Sequence, residues 1–150
     1  MSETMPYVVI LGCPNVGKSR LFNRLTGTRR AIVQDTPGVT HDVQEMRVED
    51  GPTPFYLVDT PGLFDPDSPL EDRLKTLTMP YLEKATLFLF VVNGRALLSA
   101  QEKHFIRWLR RYNRPIFVLA NKCEGSGETP GFEDALTLGL EDVFAISAEH

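Results

Sequence analysis

The stretch from Gly12 to Ser19 constrains the fold more than any other part of the sequence. It has the sequence Gly-Cys-Pro-Asn-Val-Gly-Lys-Ser, which matches G-x-x-x-x-G-K-[ST], and it directly follows the apolar run Val8–Leu11. Glycines in this pattern let the backbone wrap, so that its N–H groups and the N-terminus of the next helix point at phosphate oxygens. Lys18 reaches the β- and γ-phosphates, and Ser19 offers a hydroxyl to Mg²⁺. The motif predicts a strand–loop–helix unit that binds a nucleoside triphosphate.

Short apolar runs alternate with helical patterns along the chain. Val8–Leu11, Leu87–Val92 and Ile116–Ala120 are rich in valine, leucine, isoleucine and phenylalanine, without regular polar positions. This pattern is typical of parallel strands that helices cover on both faces. The other expected strands are Phe55–Val58, Phe144–Ile146 and a half-exposed edge strand over Val43–Val48. The alternation predicts an open α/β sheet, in which ligands bind beyond the carboxyl ends of the strands.

Helical periodicity fills the segments between these strands. Helices are expected over Lys18–Leu25, from Ser99 to just before Pro115, and around Leu70, Leu74 and Leu77. Pro80 is expected to kink or end the last of these early, because proline lacks the N–H that a helix interior needs. Gly125–Gly131, rich in glycine, serine and proline, predicts a loop.

The composition is that of an ordinary soluble domain. Apolar residues make up 42% and charged residues 24% of the 150 residues, which suits one domain with a buried core. The longest apolar run, Leu87–Val92, is far shorter than the ~20 residues of a membrane helix, so no membrane partner is expected. The two cysteines, Cys13 and Cys123, argue against a disulfide framework and indicate the cytoplasm. A net charge of −4 argues against indiscriminate nucleic-acid binding but leaves room for a local basic patch.

A second motif, Asp59–Gly62, follows the expected strand Phe55–Val58. A carboxylate at this position holds Mg²⁺ through a water molecule, and the N–H of Gly62 meets a γ-phosphate. Asp-Thr-Pro-Gly is by itself a common turn sequence, but the phosphate loop precedes it by about 40 residues, on a strand expected to be its neighbour. Together the two motifs predict one site for Mg²⁺ and a triphosphate.

The segment Asn121–Glu124 follows the strand Ile116–Ala120, again at a carboxyl end. The acidic side chain of Glu124 accepts two hydrogen bonds from guanine N1–H and the exocyclic amino group, whereas adenine has no such donor pair. Ser147 and Ala148 follow the last strand, where a backbone N–H donates to guanine O6. Asn-Lys-x-Glu alone is a weak motif. It predicts guanine as the base because it follows the phosphate loop and the Asp59–Gly62 motif along the chain.

The order and spacing of these motifs resemble those of translation-factor-type GTPases. The segments that carry the resemblance are Gly12–Ser19, Pro37–Thr40, Asp59–Gly62, Asn121–Glu124 and Ile146–His150. Within that class the chain is most similar to the first GTPase domain of the EngA (Der) family of bacterial ribosome-assembly GTPases. The resemblance implies a P-loop NTPase with a Ras-like G domain, whose mixed, mostly parallel six-stranded sheet carries helices on both faces. It also implies GTP hydrolysis coupled, through the full-length protein, to maturation of the large ribosomal subunit.

The resemblance implies further roles. Thr40 is similar to the switch threonine, which binds Mg²⁺ and the γ-phosphate only in the GTP state. Leu63 stands where Ras-type proteins place a glutamine that orients the attacking water, and leucine cannot hydrogen-bond a water molecule. Related GTPases with this replacement use K⁺, held partly by the phosphate-loop asparagine, here Asn15. K⁺ would then supply a function that an arginine finger performs elsewhere with a rate effect of roughly 10³–10⁵.

These interpretations define a set of site residues. Contacts to GTP or GDP are expected from Gly12, Pro14, Asn15, Val16, Gly17, Lys18, Ser19, Arg20, Asp59, Gly62, Asn121, Lys122, Glu124, Ser147 and Ala148. Catalysis is assigned to Asn15, Lys18, Thr40 and Gly62. Mg²⁺ is assigned to Ser19, Thr40 and Asp59, and K⁺ to Asn15.

Three features depart from the family pattern. Glu124 stands where the wider class has aspartate, which puts the selectivity for guanine in question. Pro80 interrupts the helix that follows the second switch. The chain stops at His150, where the family continues with a closing helix, a second GTPase domain and a KH-like domain. Residues 1–150 are therefore expected to form a single GTPase domain that lacks its closing helix and is monomeric in isolation.

Other functions stay open on the sequence alone. Leu63 is compatible with a nucleotide-binding module that hydrolyses little GTP, and a P-loop phosphotransferase is the other rival, although no lid or acceptor pocket is recognisable. Ribosomal RNA could be touched by Arg29, Arg30, Arg107, Arg110, Arg111 and Arg114. A solvated helix face is the simpler interpretation of these arginines.

Overall fold

The computed structural model describes residues 5–13, 16–27, 43–49, 51–61, 72–122, 129–139 and 142–147. Its strands are β1 (Tyr7–Gly12), β2 (Gln44–Val48), β3 (Phe55–Asp59), β4 (Leu87–Asn93), β5 (Ile116–Asn121) and β6 (Asp142–Ala145). Its helices are α1 (Lys18–Thr26), α2 (Asp72–Lys84), α3 (Ala100–Leu109) and α4 (Pro130–Leu136), and a 3₁₀ turn over Arg110–Tyr112 follows α3. None of the helices within these ranges has the length and apolar character needed to cross a membrane.

The six strands form one mixed sheet in the order β2-β3-β1-β4-β5-β6. Every pairing is parallel except that of β2, which runs antiparallel to β3 and forms one edge. The predicted fold class, including the half-exposed edge strand, is therefore confirmed. The two parallel neighbours of β1 are β3 and β4, which places the strand of the phosphate loop at the centre of the sheet.

Successive residues of β1 point to opposite faces of the sheet and belong to two different cores. Val9 and Leu11 pack with Phe90 of β4 and Phe105 of α3 in the core that α2, α3 and α4 cover. Ile10 belongs to the second core, which includes α1. These side chains are completely buried, and burial of each contributes about 1.5–3 kcal/mol to folding. The central strand is thus fixed from both sides.

Pro80 was expected to kink the helix α2 or to end it early. The helix continues through Pro80 to Lys84, so the expected early end is wrong. Thr78 and Leu82, which flank the proline, are completely buried. The free energy gained when this last turn packs against the sheet offsets the cost of the backbone hydrogen bond that proline cannot donate. Tertiary packing decides the length of α2.

The helix α3 begins as expected and ends earlier than expected. Ser99 accepts a hydrogen bond from the Glu102 N–H at 3.1 Å, and the Glu102 carboxylate accepts one from the Ser99 N–H at 2.8 Å. This reciprocal capping box satisfies two N–H groups at the start of the helix. The chain then tightens after Leu109 into the 3₁₀ turn and leaves it at Asn113, whose φ of 54° is left-handed.

The helix α4 was not expected, because its first residues lie in the predicted loop Gly125–Gly131. Of that loop, residues 125–128 lie outside the described residues. The helix has seven residues and begins at Pro130, which fits the first position of a helix because the missing N–H has no helical partner there. Ala135 packs into the core. Because the helix is short and has few apolar residues, its hydrophobic periodicity is too weak to predict a helix from the sequence.

Candidate functional site

Four strands place their carboxyl ends at one edge of the sheet. Gly12 ends β1, Asp59 ends β3, Asn93 ends β4 and Asn121 ends β5. Gly12 is paired with Val91, and Asn93 with Asn121, so the strand ends stay close to level. Three of the four ends lead into predicted nucleotide motifs, and this edge of the sheet, formed by the carboxyl ends of β1, β3, β4 and β5, is called the nucleotide edge.

The phosphate loop needs glycine at both of its ends. A Cβ atom on Gly12 would lie 2.6 Å from the carbonyl oxygen of Val91. Gly17, which caps α1, has a left-handed φ of 96°, and a Cβ there would lie 2.2 Å from Asn121 Nδ2. No side chain larger than hydrogen fits at such distances, so the first end of the loop packs closely against β4 and the second against the end of β5. The cradle has the character of a phosphate-binding loop.

Lys18 and Ser19, the first residues of α1, meet the end of β3. Lys18 Nζ donates a hydrogen bond of 2.8 Å to the carbonyl oxygen of Thr60 and lies 3.6 Å from Asp59 Oδ1. Ser19 Oγ donates to Asp59 Oδ2 at 3.2 Å. The two predicted phosphate and Mg²⁺ motifs therefore come together across 40 residues of chain.

The oxygen atoms at this contact fit a magnesium ion. Mg²⁺ is a hard cation that takes oxygen ligands, and it is bound in nucleotide sites by a hydroxyl or carboxylate together with phosphates. Ser19 supplies a hydroxyl, and Asp59, which is only 6% exposed, supplies a carboxylate. The ammonium group of Lys18 balances part of the buried negative charge of Asp59.

Thr60 has a structural role that the sequence did not reveal. Its Oγ1 donates to the carbonyl oxygen of Ile10 at 2.8 Å, and the residue is almost completely buried. Its own carbonyl accepts the hydrogen bond from Lys18. Thr60 therefore attaches the second motif to β1 and orients the lysine, and a hydroxyl directly after Asp59 is the only sequence signal for it.

Asn121 connects the expected base-binding segment to the phosphate loop. Its Nδ2 donates a buried hydrogen bond of 2.8 Å to the carbonyl oxygen of Val16. Lys122 follows with a left-handed φ of 67°. Ser147 lies near the same edge, because the Ile146 N–H donates to the carbonyl of Ala120 at 2.9 Å. The phosphate and base motifs are thus one connected structure.

A turn after β4, Asn93–Leu98, supports the start of the expected base-binding segment and was missed in the sequence. Gly94 N–H donates to the carbonyl of Asn121 at 2.7 Å, and Arg95 Nε donates to that of Lys122 at 3.1 Å. On the far side of the segment, Gly131 N–H donates to the Gly94 carbonyl at 3.0 Å. The available signal was the turn sequence Asn-Gly directly after an apolar strand.

The helix α4 fits closely against this turn. A Cβ atom on Gly131 would lie 2.2 Å from the carbonyl oxygen of Asn93. The Asp134 carboxylate accepts a hydrogen bond of 3.0 Å from the Leu98 N–H and lies 3.2 Å from Lys103 Nζ. The turn therefore forms one packed unit with the start of the base-binding segment and with α4.

Cys13, inside the phosphate loop, is a packing residue. Burial raises the pKa of its thiol to about 11, the negative charge of Glu102 adds to this, and Lys18 opposes it. The thiol is thus neutral at physiological pH, whereas nucleophilic and metal-binding cysteines are thiolates. Among the described residues, no three histidine, cysteine or acidic residues are grouped as a metal site requires.

The structure brings together eight of the expected contact residues and leaves others outside its description. Those at the nucleotide edge are Gly12, Val16, Gly17, Lys18, Ser19, Asp59, Asn121 and Lys122. Ser147 lies near the same edge, whereas Arg20 is exposed on α1. Pro14, Asn15, Thr40, Gly62, Leu63, Glu124 and Ala148 lie outside the described residues.

Bacterial GTPases named Der are similar to this chain. The GTPase Der of Geotalea daltonii is 42% identical over 147 residues, which cover 97% of this chain and 33% of that protein. The GTPase Der of Rhizobium meliloti is 46% identical over 145 residues, which cover 95% of this chain and 30% of that protein. The resemblance to the EngA (Der) family is confirmed, and the chain spans about a third of the length of these relatives.

Solved GTPase structures share the fold. Era, crystallised with MgGDPNP and a fragment of 16S ribosomal RNA, has a TM-score of 0.81 and 26% identity, covering 98% of this chain and 52% of Era. NFeoB from S. thermophilus, bound to GDP.AlF4⁻ and K⁺, has a TM-score of 0.72 and 26% identity, covering 97% of this chain and 56% of that one.

One protein family matches most of the chain. The family described as 50S ribosome-binding GTPase matches residues 7–122, a range that contains the phosphate loop, Asp59 and Asn121. The match confirms the prediction of a GTP-hydrolysing enzyme and does not favour a module that only binds nucleotide. The chain therefore belongs to the family of 50S ribosome-binding GTPases.

Proposed function

We propose that the nucleotide edge binds GTP together with Mg²⁺ and hydrolyses it to GDP. The observation that carries this proposal is the contact of Lys18 and Ser19 with Asp59 and Thr60, at 2.8 to 3.6 Å. A lysine, a hydroxyl and a carboxylate at the N-terminus of one helix are the groups that phosphoryl transfer to water requires. These groups are already in contact within the protein, so little reorganisation of Lys18, Ser19 and Asp59 accompanies binding of the nucleotide.

Each of these groups has a distinct task in the proposed reaction. Lys18 and the backbone N–H groups of the loop bind the β- and γ-phosphates, and they stabilise the negative charge that develops as the γ-phosphate leaves. Ser19 and Asp59 would hold Mg²⁺, Asp59 through a water molecule, and the ion would supply positive charge that neutralises charge developing on the phosphates. Thr60 keeps the lysine aligned through its carbonyl.

The state of the nucleotide is proposed to control two switch segments. Thr40 and Gly62 would contact the γ-phosphate in the GTP state and be released by hydrolysis. On the other side of the site, Asn121, Lys122 and Glu124 bind the guanine base. The Asn121 hydrogen bond to Val16 supports this arrangement, because it couples the position of the base to that of the phosphate loop.

A potassium ion is proposed to assist hydrolysis. Leu63 cannot orient a water molecule, so another source of positive charge is needed at the β–γ bridge, and Asn15 is the proposed K⁺ ligand. The structural neighbour NFeoB from S. thermophilus has been solved with GDP.AlF4⁻ and K⁺, which supports the proposal by similarity.

The cellular role is proposed from the relatives as well. The matching family is described as ribosome-binding, and the relatives named Der are about three times as long as this chain. We propose that this G domain works in the cytoplasm as part of a longer protein in assembly of the large ribosomal subunit. In that role, GTP hydrolysis would time the release of the protein from its partner.

Release of phosphate from Mg·GTP tests the proposal. The wild-type chain is measured in KCl and in NaCl at equal ionic strength, with Mg·ATP as the control substrate. We expect faster turnover of GTP in KCl and no turnover of ATP. Equal turnover of GTP in the two salts would contradict the role of K⁺. No turnover in either salt would contradict hydrolysis and favour a module that only binds the nucleotide.

Variants connect the assay to the geometry. Lys18→Ala removes the charge at the phosphates and should abolish tight binding of GTP and GDP. Lys84→Ala is the matched control, since Lys84 lies at the end of α2 over the rings of Tyr7 and Tyr81. It should bind GTP like the wild type, and retained affinity in Lys18→Ala would refute the assignment of the phosphate site.

A further inference from the structure

Four exposed arginines lie at the end of the domain opposite the nucleotide edge. Arg107 is in the last turn of α3, Arg110 and Arg111 are in the 3₁₀ turn, and Arg114 lies just before β5. This group, called the arginine patch, is beside the amino end of β5. The length of β5 separates it from the nucleotide edge by about 17 Å. A ligand on the patch would therefore not touch the bound nucleotide.

A pocket of about 360 Å³ opens at the arginine patch. Its lining includes Arg110, Asn113, Arg114 and Asp142, from the 3₁₀ turn, the segment before β5 and the first residue of β6. The volume lies within the range of roughly 300–1,000 Å³ that is usual for small-molecule sites. Two arginines and one aspartate are in this lining, which makes the pocket suitable for an anion that also carries hydrogen-bond donors.

Two of the arginines are already held in position. The guanidinium of Arg110 donates a hydrogen bond to the carbonyl oxygen of Leu138. The guanidinium of Arg111 lies over the ring of Trp108, 4.8 Å from its centroid, and Trp108 packs edge-on against Tyr112. A guanidinium fixed in this way loses less conformational freedom when a ligand binds, so more of the contact energy remains as affinity.

The charge of the patch contrasts with that of the whole chain. Residues 107–114 contain four arginines and no acidic residue, whereas the chain has a net charge of −4. A solvated helix face usually mixes charges of both signs. A run of one sign on an acidic protein creates a local positive potential that attracts polyanions.

We propose that the arginine patch binds the phosphodiester backbone of RNA, with one nucleotide in the pocket. The planar fork of an arginine matches phosphate oxygens in a bidentate manner. Asp142 and Asn113 offer acceptors for a ribose hydroxyl, the group by which proteins distinguish RNA from DNA. An acidic peptide also satisfies the arginines, but every RNA nucleotide places a ribose hydroxyl beside a phosphate, whereas a peptide backbone carries no hydroxyl, so RNA fits the lining better.

The test is binding of a fluorescein-labelled, 20-nucleotide uridine oligoribonucleotide, followed by fluorescence anisotropy between 50 and 200 mM KCl. The variant Arg110→Gln/Arg114→Gln should bind roughly tenfold or more weakly at 50 mM KCl. The slope of log K against log [KCl] should fall in magnitude by about 1.4, which is 0.7 for each lost phosphate contact on a single strand. The variant Arg110→Lys/Arg114→Lys keeps the charge and should bind with intermediate affinity.

The matched control is Arg24→Gln/Arg47→Gln, which removes the same charge from α1 and β2 and should bind RNA like the wild type. Thermal unfolding and GDP affinity, measured on every variant, separate loss of the patch from loss of the fold. Three results would overturn the proposal: wild-type protein that does not bind RNA at 50 mM KCl, a glutamine variant at the patch that binds as well as the wild type, or a poly-L-glutamate of equal charge that binds as tightly. Failure of GTP hydrolysis alone would leave this inference intact, because the patch is remote from the nucleotide edge.

Discussion

Replacement of Asn121 by aspartate tests the hydrogen bond that connects the base-binding segment to the phosphate loop. Asn121→Asp keeps the size of the side chain but exchanges the Nδ2 donor for an oxygen, which would face the Val16 carbonyl across the present 2.8 Å bond. The residue is almost completely buried. A buried carbonyl left without its donor costs about 1–3 kcal/mol, and repulsion between the two oxygens adds to that.

This magnitude predicts two measurable effects. The nucleotide-free protein should lose about 2–12 °C of melting temperature, since 1 kcal/mol corresponds to roughly 2–4 °C in a domain of this size. Affinity for GDP should fall by roughly ten- to a hundredfold, at about 1.4 kcal/mol for each factor of ten. Differential scanning fluorimetry without nucleotide and titration with a fluorescent GDP analogue measure the two quantities.

An exposed amide on α3 provides the control for this substitution. Gln101→Glu makes the same amide-to-carboxylate change on the exposed surface of α3 and should leave both quantities close to the wild type. If Asn121→Asp lowers GDP affinity while the melting temperature of the nucleotide-free protein stays unchanged, Asn121 acts only on the base. The argument that it braces the phosphate loop would then be refuted.

Three further changes test other parts of the structure. Arg95→Ala removes the hydrogen bond to the Lys122 carbonyl and should weaken GDP binding about fivefold with little change in the maximal rate of hydrolysis, as steady-state kinetics would show. The thiol of Cys13, with a pKa raised to about 11, should react slowly with iodoacetamide at pH 8. The rate, followed by mass spectrometry, should rise about tenfold per pH unit up to about pH 10 and then level off near the pKa. A rate that is already maximal at pH 9 contradicts the burial argument. Ser99→Ala breaks the capping box with Glu102 and should lower stability by about 1 kcal/mol in urea denaturation, whereas an unchanged midpoint means that the cap contributes nothing.

The parts of the site that the sequence predicted are those in which a local pattern and a rule of sheet topology act together. The phosphate loop follows an apolar run, and Asp59 and Asn121 each end another. Because parallel strands place their carboxyl ends at one edge, these motifs were expected to meet, and the contacts of Lys18 and Asn121 agree with that expectation.

The parts that were missed depend on contacts between ordinary residues far apart in sequence. Arg95 and Gly131 belong to no motif, and their roles follow only from the packing of the turn after β4 against the start of α4. Pro80 shows the opposite error, since a strong local signal was overridden by burial of the helix around it. Local rules fail where tertiary contacts supply the larger energy.

The central position of β1 has a consequence for how the chain reaches this structure. Thr60 bonds to Ile10 50 residues away, and the amide of Tyr7 bonds to Thr86 79 residues away, so both neighbours of the first strand come from much later in the chain. During synthesis from the N-terminus, β1 has no partner until β3 emerges and has both only after β4. Such long-range pairing makes folding slow, because the entropy of closing large loops is lost before native contacts form. The phosphate loop should accordingly become ordered late, and a nascent chain should bind GTP only after β5 and the base-binding segment Asn121–Glu124 have also left the ribosome.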